Sequence, residues 1–293
     1  MISAIILYFP TTLYANNDVL VVLSSNNSIY SDFFANLNEK LKDKYDINVT
    51  YAVDYNKETL NNHKLVISVG TFAAIKLNTF KFAVPVLYTL VTKDFYNSTI
   101  KSKSCPGNAC YGIYIDQPVH RYIRLINLLF TNKMTIAVPL TALGESKFHQ
   151  IKSAAKRLNL KSKKISVKSD NNIPLLLKRK LNENDMLLAL PDPDIYNRQS
   201  ARGIILTTYH MNTPIIAYSR AFTKAGALAS LFSSIDDISV QTSRLANNIL
   251  NNRQPKEQGY YPDNFSIEIN EAVARSLKIK TPSPEFLKRK IKQ

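Results

Sequence analysis

An apolar run of strand length that stops at two prolines constrains the fold of this chain more than any other feature. The run covers residues 186–190, and Pro191 and Pro193 follow it at once. Because proline has no N–H group to donate to a sheet and restricts the residue before it, the strand must end there. A polar turn comes next, followed by a helical pattern that Ser200 is expected to cap and that ends at Asn212. Strand, polar tip and helix in this order predict one unit of a parallel α/β sheet.

The same unit recurs along the whole chain. A second series of similar length begins near Asp116, and no Gly/Ser-rich linker separates it from the first. The chain therefore predicts two packed lobes, each an α/β domain with a doubly wound parallel sheet and right-handed crossovers, joined by short crossings that form a hinge. We expect strands at 19–25, 47–53, 64–70, 85–92, 135–140, 164–169, 186–190, 215–218 and 265–270, and a loop at 252–264.

The late elements are expected to complete both lobes and to form no third domain. We assign residues 16–115 and about 221–254 to the first lobe. Residues 116–220 and about 255–293 are assigned to the second. In such sheets ligands lie beyond the carboxyl ends of the strands, so the polar tips at those ends are the places to look for a site.

The N-terminal residues have the pattern of a secretory signal peptide. About a dozen mostly apolar residues end in small or polar positions near Ala15, and the run is too short to span a membrane. We expect cleavage near Ala15, which makes residues 1–15 a signal peptide and the mature protein exported. No Lys or Arg precedes the run, so the true start codon or an atypical signal stays open, as does a first buried strand.

Two cysteines, Cys105 and Cys110, lie in a predicted loop on either side of Pro-Gly-Asn-Ala. In an exported protein such a pair predicts a disulfide that fixes the shape of the loop. A metal pair is the weaker interpretation, since the four histidines are scattered without ligand spacing. No metal is expected.

The net charge of +16 comes almost wholly from the second half of the chain. A basic half can attract nucleic acid, an anionic membrane surface or an acidic partner. The lysines fall mostly on helices and turns, where solvated cationic faces are common, and no known DNA-reading motif is present. We therefore expect no nucleic-acid partner.

The motifs of nucleotide binding and of catalysis are absent from the sequence. It contains neither GxxxxGK[ST] nor a GxGxxG that follows a strand, and no G-x-S-x-G elbow. Asp192 and Asp194 could act as paired carboxylates, but two carboxylates in one proline-rich turn are typical of caps and hydrogen-bond acceptors. We predict a protein that is not an enzyme and that needs no cofactor.

Several segments together resemble ABC-transporter substrate-binding proteins of the type I periplasmic fold, in the branch that includes binders of aromatic amino acids. The resemblance runs in order from about residue 18 to 280 and is carried by VGTFAA, PVLYTLVT, ALPDPDIYN, TPIIAYSRAFTKAGALASLFSS and FSIEINEAVARSLKI. It implies two lobes that close on a small solute and present it to a permease in the inner membrane. We expect a monomer.

The resemblance also implies a set of ligand-binding residues at the strand tips. The expected set is Ser25, Thr71, Phe72, Tyr88 and Thr92 from the first lobe, and Asp194, Tyr196, Asn197, Tyr218 and Ser219 from the second. The amino-acid binders carry an acidic residue where Ser219 stands, so an α-amino acid is in doubt, and an aromatic or anionic solute is at least as well supported. The predicted function is the periplasmic solute-binding component of an ABC uptake system. The alternatives are a ligand-sensing protein that signals to a membrane receptor, and an enzyme that uses Asp192 or Asp194.

Overall fold

A computed structural model describes residues 18–55, 60, 62–101, 109–130, 134–168 and 172–293. The predicted signal peptide lies outside these residues. Within them the chain forms two six-stranded sheets, each covered by helices. Among the described residues, no helix is long and apolar enough to cross a membrane.

The first lobe is built on a sheet of strand order β11-β5-β4-β3-β1-β2, in which all neighbours are parallel. Its elements are β1 (Val19–Leu23), α1 (Ser28–Leu41), β2 (Ile47–Tyr51), β3 (Leu65–Val69), α2 (Thr71–Leu77), β4 (Val86–Val91), α3 (Lys93–Phe95) with a π-helical turn (Tyr96–Lys101), β5 (Cys110–Tyr114), α9 (Ile235–Leu250) and β11 (Gly259–Tyr260). Strands β1, β3, β4 and β5 are buried on both faces, which explains their continuous apolar sequences.

The second lobe is built on a sheet of order β12-β10-β9-β8-β6-β7, parallel except where β12 runs against β10. Its elements are α4 (Val119–Leu129), β6 (Thr135–Leu140), a 3₁₀ turn (Ala142–Gly144), α5 (Glu145–Arg157), β7 (Lys161–Ser166), α6 (Ile173–Lys180), β8 (Asp185–Leu188), α7 (Ala201–His210), β9 (Ile215–Ala217), α8 (Arg220–Ala225), β10 (Ala229–Phe232), β12 (Ser266–Ile269), α10 (Glu271–Ser276) and α11 (Pro284–Lys292). The predicted fold class is confirmed.

The chain passes between the lobes three times, at 115–118, 233–234 and 261–265. The first crossing lies at the boundary predicted from the sequence, between residues 115 and 116, whereas the second and third crossings come later than the boundaries predicted at about 220 and 254. Strand β10, predicted with the first lobe as part of 221–254, pairs with β9 in the second sheet, because the β9–α8–β10 crossover places the next strand beside the last one. Of the elements in 221–254, helix α9 is the one that returns to the first lobe, where Ile238 and Leu245 join the core that α1 covers.

Two local predictions are also corrected. The predicted loop at 252–264 contains β11, which pairs with Gly112 and Ile113 at the edge of the first sheet. Ser200 has helical backbone angles and does not cap α7; its hydroxyl turns back and donates to the carbonyl of Ile195 at 2.6 Å.

Candidate functional site

The carboxyl edges of the two sheets face each other across a cleft. Lys147, on the helix that follows β6, reaches across to two carboxylates that follow strands of the first sheet. Its Nζ lies 2.8 Å from Asp94 Oδ2 and 3.5 Å from Asp116 Oδ1. Because the strand tips gather at these edges, the polar loops predicted to hold a ligand border one cleft.

The tips of β1 and β3 form one structured corner of the first lobe. Ser24 Oγ donates to the carbonyl of Val69 at 2.8 Å and accepts from the N–H of Ala73 at 2.9 Å. Gly70 has a φ of 88°, and a Cβ there would lie 2.6 Å from Ser24 Oγ. The chain passes so close to Ser24 here that only glycine fits at position 70. The turn at Gly70 places the first turn of α2, with the N–H groups of Thr71 and Phe72, at the carboxyl edge of the sheet.

The first-lobe residues of the predicted set differ in exposure. Ser25 and Thr71 are exposed, and Phe72 keeps 41% of its surface. Thr92 is half-buried, and its hydroxyl accepts from the N–H of Phe95 at 3.3 Å, which caps α3. Tyr88 has no exposed surface at all, and its ring packs edge-on against Tyr96.

In the second lobe, Asp192 and Asn197 organise the loop that follows β8. Asp192 accepts from the hydroxyl of Thr141 at 3.2 Å and from the N–H of Asp194 at 3.1 Å. The side chain of Asn197 accepts from the N–H groups of the two residues at 199–200 and donates to the carbonyl of Pro193 at 3.2 Å. Asp194 is exposed. The loop thus has a fixed shape that its own side chains maintain.

Three aromatic rings meet at the tips of β8 and β9. The ring centroid of Tyr196 lies 6.0 Å from that of Tyr218 and 5.6 Å from that of Phe222, and the centroids of Tyr218 and Phe222 are 5.3 Å apart. Tyr218 and the adjacent Ser219 are half-buried, whereas Tyr196 is 6% exposed. Burial raises the pKa of Tyr196 well above its usual value. We call these three residues the aromatic tip.

The charged cluster at the cleft was missed by the sequence analysis. Asp116 Oδ2 accepts from the backbone N–H of Lys93 at 2.5 Å, in addition to the contact with Lys147. Lys93 Nζ lies 4.7 Å from the ring centroid of Tyr261. No local signal marks this cluster, because its members come from distant parts of the sequence and each is an ordinary charged residue of a turn or helix.

Burial and charge oppose each other in this cluster. Burial raises the pKa of Asp116 above its ordinary value, against the lowering effect of Lys147 and of the N–H of Lys93. For Lys147, burial lowers the pKa, but Asp116 and Asp94 more than offset this, so the pKa of the ammonium lies above its ordinary value. Lys147 therefore remains charged at neutral pH.

The space between the lobes at this cluster is almost filled. A cavity of about 10 Å³ remains, which holds roughly one water molecule. It is lined by Lys93, Asp94, Asp116, Gln117, Val119, Tyr122, Lys147, Gln150, Leu190, Pro191 and Tyr261. None of the ten predicted ligand residues, all of which the structure describes, is among them. A solute can enter this part of the cleft only when the lobes separate.

A hydrogen-bonded network joins the three crossings. Arg121 donates to Gln117 Oε1 at 2.7 Å and to the carbonyls of Pro262 and Asp263 at 2.8 and 3.3 Å. Gln117 Nε2 in turn donates to Ser233 Oγ at 2.7 Å. The guanidinium of Arg121 therefore forms hydrogen bonds with the crossings at 115–118 and 261–265, and Gln117 links it to the crossing at 233–234.

The remaining sequence predictions concern metal and the cysteines. In the part of the chain that the structure describes, no group of three or more His, Cys, Asp or Glu side chains could hold a metal ion. Cys110 is buried at the start of β5, and Cys105 lies outside the described residues, so the predicted disulfide stays a prediction.

Comparison with known proteins identifies the family. The model of the ABC transporter substrate binding protein family matches residues 43–290. The chain belongs to this family. The family and its structural neighbours support a solute-binding role, and substrate-binding proteins of this kind are not enzymes. No curated protein matches the sequence.

Solved structures share the fold at low sequence identity. An ABC domain from Streptococcus pneumoniae in complex with L-Trp is 19% identical with a TM-score of 0.68, over 93% of this chain and 98% of that one. The ligand-free, open structure of CD0873, a substrate-binding protein with adhesive properties from Clostridium difficile, is 18% identical with a TM-score of 0.71, over 92% and 97%. A periplasmic ribose ABC transporter from Conexibacter woesei is 10% identical with a TM-score of 0.58, over 93% and 97%.

Proposed function

We propose that this protein is the solute-binding component of an ABC uptake system, and that it closes its two lobes on a small aromatic carboxylate. The observation that carries the proposal is the aromatic tip, defined above, at the carboxyl edge of the second sheet. Its half-buried Tyr218 offers a ring at the border of the cleft. An aromatic solute can stack on such a ring at little cost in side-chain entropy.

The first turn of α2 supports a carboxylate on the solute. The N–H group of Ala73 already donates a hydrogen bond to Ser24 Oγ. The N–H groups of Thr71 and Phe72, in the same first turn of the helix, are therefore the ones that can donate to an anion. The first lobe would thus hold the carboxylate, and the second lobe the ring. A solute that bridges the lobes in this way stabilises the closed state over the open one.

The uptake context is also proposed. Family membership supports a permease partner, and we place the protein in the periplasm as a monomer, with residues 1–15 removed as a signal peptide and Cys105 joined to Cys110. N-terminal sequencing and mass measurement of the exported protein test both modifications. A first residue other than 16, or a mass that shows two free thiols, would remove the corresponding part of the proposal.

The solute class is tested by calorimetric titration of the purified protein with three matched compounds. These are 3-phenylpropionate, its uncharged amide, and hexanoate, which keeps the carboxylate but has no ring. We expect 3-phenylpropionate to bind at least tenfold more tightly than either of the others, about 1.4 kcal/mol. Equal affinity for all three, or no binding, contradicts the proposal.

The carboxylate seat is tested by substitutions at Thr71, the first residue of α2. Thr71→Pro removes the N–H group, and proline is tolerated at the first helical position, where the preceding Gly70 has an extended ψ of 168°. Thr71→Ala removes the hydroxyl and keeps the N–H. We expect the proline variant to bind 3-phenylpropionate at least tenfold more weakly than the alanine variant. Equal affinities would show that the carboxylate lies elsewhere.

A further inference from the structure

The cross-cleft contact of Lys147 suggests how the cleft selects among solutes. We propose that Lys147 is a specificity-determining residue: its ammonium keeps Asp94 and Asp116 paired at the cleft, so neither carboxylate is free to hold the ammonium of an amino acid, and the site accepts acids without an amino group. This inference rests on the proposed function and refines the chemical class of the solute.

The first argument is the arrangement around Lys147. Its ammonium lies between Asp94 Oδ2, at 2.8 Å, and Asp116 Oδ1, at 3.5 Å, and these carboxylates belong to the opposite side of the cleft. The side chains of Lys147 and Asp116 are 14% and 5% exposed. Ion pairs on the surface, such as Arg220 with Glu268, are far more open to solvent. Asp94 is 45% exposed, so removal from water strengthens mainly the attraction between Lys147 and Asp116, which holds the ammonium in place.

The second argument is charge. Lys147 neutralises Asp116, the most buried of the carboxylates at the cleft, and Asp116 also accepts the backbone N–H of Lys93. Asp192 is satisfied by Thr141 and by a backbone N–H within its own loop. A solute ammonium entering here would find these acceptors engaged and a like charge beside it, which disfavours binding.

The third argument is space. The cavity at the cluster holds roughly one water molecule, and Lys147 is one of its walls. A solute ammonium could take this place only by displacing Lys147 from both carboxylates. An acid without an amino group binds next to the cluster and leaves these ion pairs intact, so the cleft closes with its charges paired.

The inference is tested with two acids that differ only in the amino group, 3-phenylpropionate and phenylalanine. We measure their affinities by calorimetry for the wild type, for Lys147→Met, and for Lys152→Met, which removes an exposed lysine from the same helix. The wild type and Lys152→Met should prefer 3-phenylpropionate. In Lys147→Met the ratio of the two affinities should shift toward phenylalanine by at least tenfold, because the freed carboxylates can pair with its ammonium.

An unchanged ratio in Lys147→Met would overturn the inference and leave the proposed function standing. Failure of the wild type to bind either acid would overturn the proposed function, and the specificity inference with it. The two failures are therefore distinguishable in one set of titrations.

A second measurement needs no solute. Lys147→Ala leaves a gap beside Asp94 and Asp116 that a small alkylammonium ion can fill. Added propylammonium chloride should raise the melting temperature of Lys147→Ala in a saturable way, while the wild type responds no more than it does to tetramethylammonium chloride at equal ionic strength. The same response in both proteins would show that the position does not bind an ammonium group, and would overturn the inference.

Discussion

The two lobes bring tyrosines toward the cleft in opposite ways. In the first lobe, four rings form a ladder of edge-on contacts, from Tyr88 to Tyr96 at 6.2 Å, on to Tyr114 at 5.6 Å, and on to Tyr261 at 5.4 Å. Tyr88 and Tyr96 are fully buried, and the hydroxyl oxygen of Tyr96 lies 3.0 Å from the backbone carbonyl oxygens of residues 110 and 258, between which its one hydrogen is shared. This ladder ties the strands of the first lobe to the chain that returns from α9.

In the second lobe, the tyrosines stand at the tips of strands, and Tyr218 keeps part of its surface open. Both sets lie within or after apolar strands in the sequence, and both contain tyrosines. Burial separates Tyr88 and Tyr96 from Tyr218. We infer that the ladder stabilises its lobe, whereas we propose that Tyr218 of the aromatic tip offers a surface to a solute. The predictions below test this division.

The largest expected effect is on stability, from loss of a ladder ring. Tyr96→Ala should lower the free energy of unfolding by about 3–5 kcal/mol, since it removes a buried aromatic ring and the hydrogen bond that its hydroxyl donates. Urea unfolding measures the change. Tyr209→Ala, at a ring that is 52% exposed, is the control and should change stability by about 0.5 kcal/mol or less. Similar losses in the two variants would contradict a structural role for the ladder.

A smaller effect, on binding, is expected at the aromatic tip. Tyr218→Ala should weaken binding of 3-phenylpropionate at least tenfold, about 1.4 kcal/mol, because the solute loses its stacking surface. Tyr218→Phe keeps the ring and should bind like the wild type. If calorimetry shows the alanine variant binding normally, the aromatic tip is not the solute surface.

Two single hydroxyls refine the comparison further. The hydroxyls of Tyr88 and Tyr196 are buried and have no hydrogen-bond partner among the described residues. Since an unpaired buried hydroxyl costs stability, Tyr88→Phe should raise the free energy of unfolding by about 1 kcal/mol without changing solute affinity. Tyr196→Phe should give a similar gain, unless the solute accepts a hydrogen bond from that hydroxyl. Weaker binding by Tyr196→Phe alone would place the solute against it.

At neutral pH the smallest effect is expected at Tyr114, where a difference appears only at high pH. Burial, with the charges of Tyr261 and Asp116, raises the pKa of Tyr114 to about 12, from an ordinary value of 10.0. A pKa that is higher in the folded state means that stability is fully present below pH 10 and is lost as the pH rises toward 12. Tyr114→Phe should lose less stability over this interval in urea titrations. An identical pH dependence of the free energy of unfolding in the wild type and in Tyr114→Phe would contradict the raised pKa of Tyr114.

The fold followed from the sequence because the central strands of both sheets are buried on both faces and so have continuous apolar sequences. The run of β8, ended by Pro191, was enough to define a unit that recurs. The errors arose where pairing is set by distant contacts. Strand β11 has two residues, too few for a pattern, and exists because Tyr260 meets Ile113 of β5.

The candidate site was less accessible from the sequence. The strand tips could be located from their polar residues, but the predicted ligand set stays a prediction, because none of its residues lines the cavity between the lobes. The charged cluster could not be found in this way, because Lys147 is 31 residues from Asp116 and follows the pattern of a solvated helix face. Whether such a lysine forms an ion pair depends on which residues of the other lobe lie opposite it. The pattern of residues along the sequence does not contain that information.

The network at the three crossings restricts how the lobes can move. Arg121, Gln117 and Ser233 hold the crossings side by side, so any motion that slides one crossing past another must break several hydrogen bonds at once. A bend that carries all three together breaks none. For the proposed opening of the lobes, the network therefore favours a bend about the three crossings, which leaves its hydrogen bonds in place. Closing on a solute then costs little conformational entropy, and more of the contact energy remains as affinity.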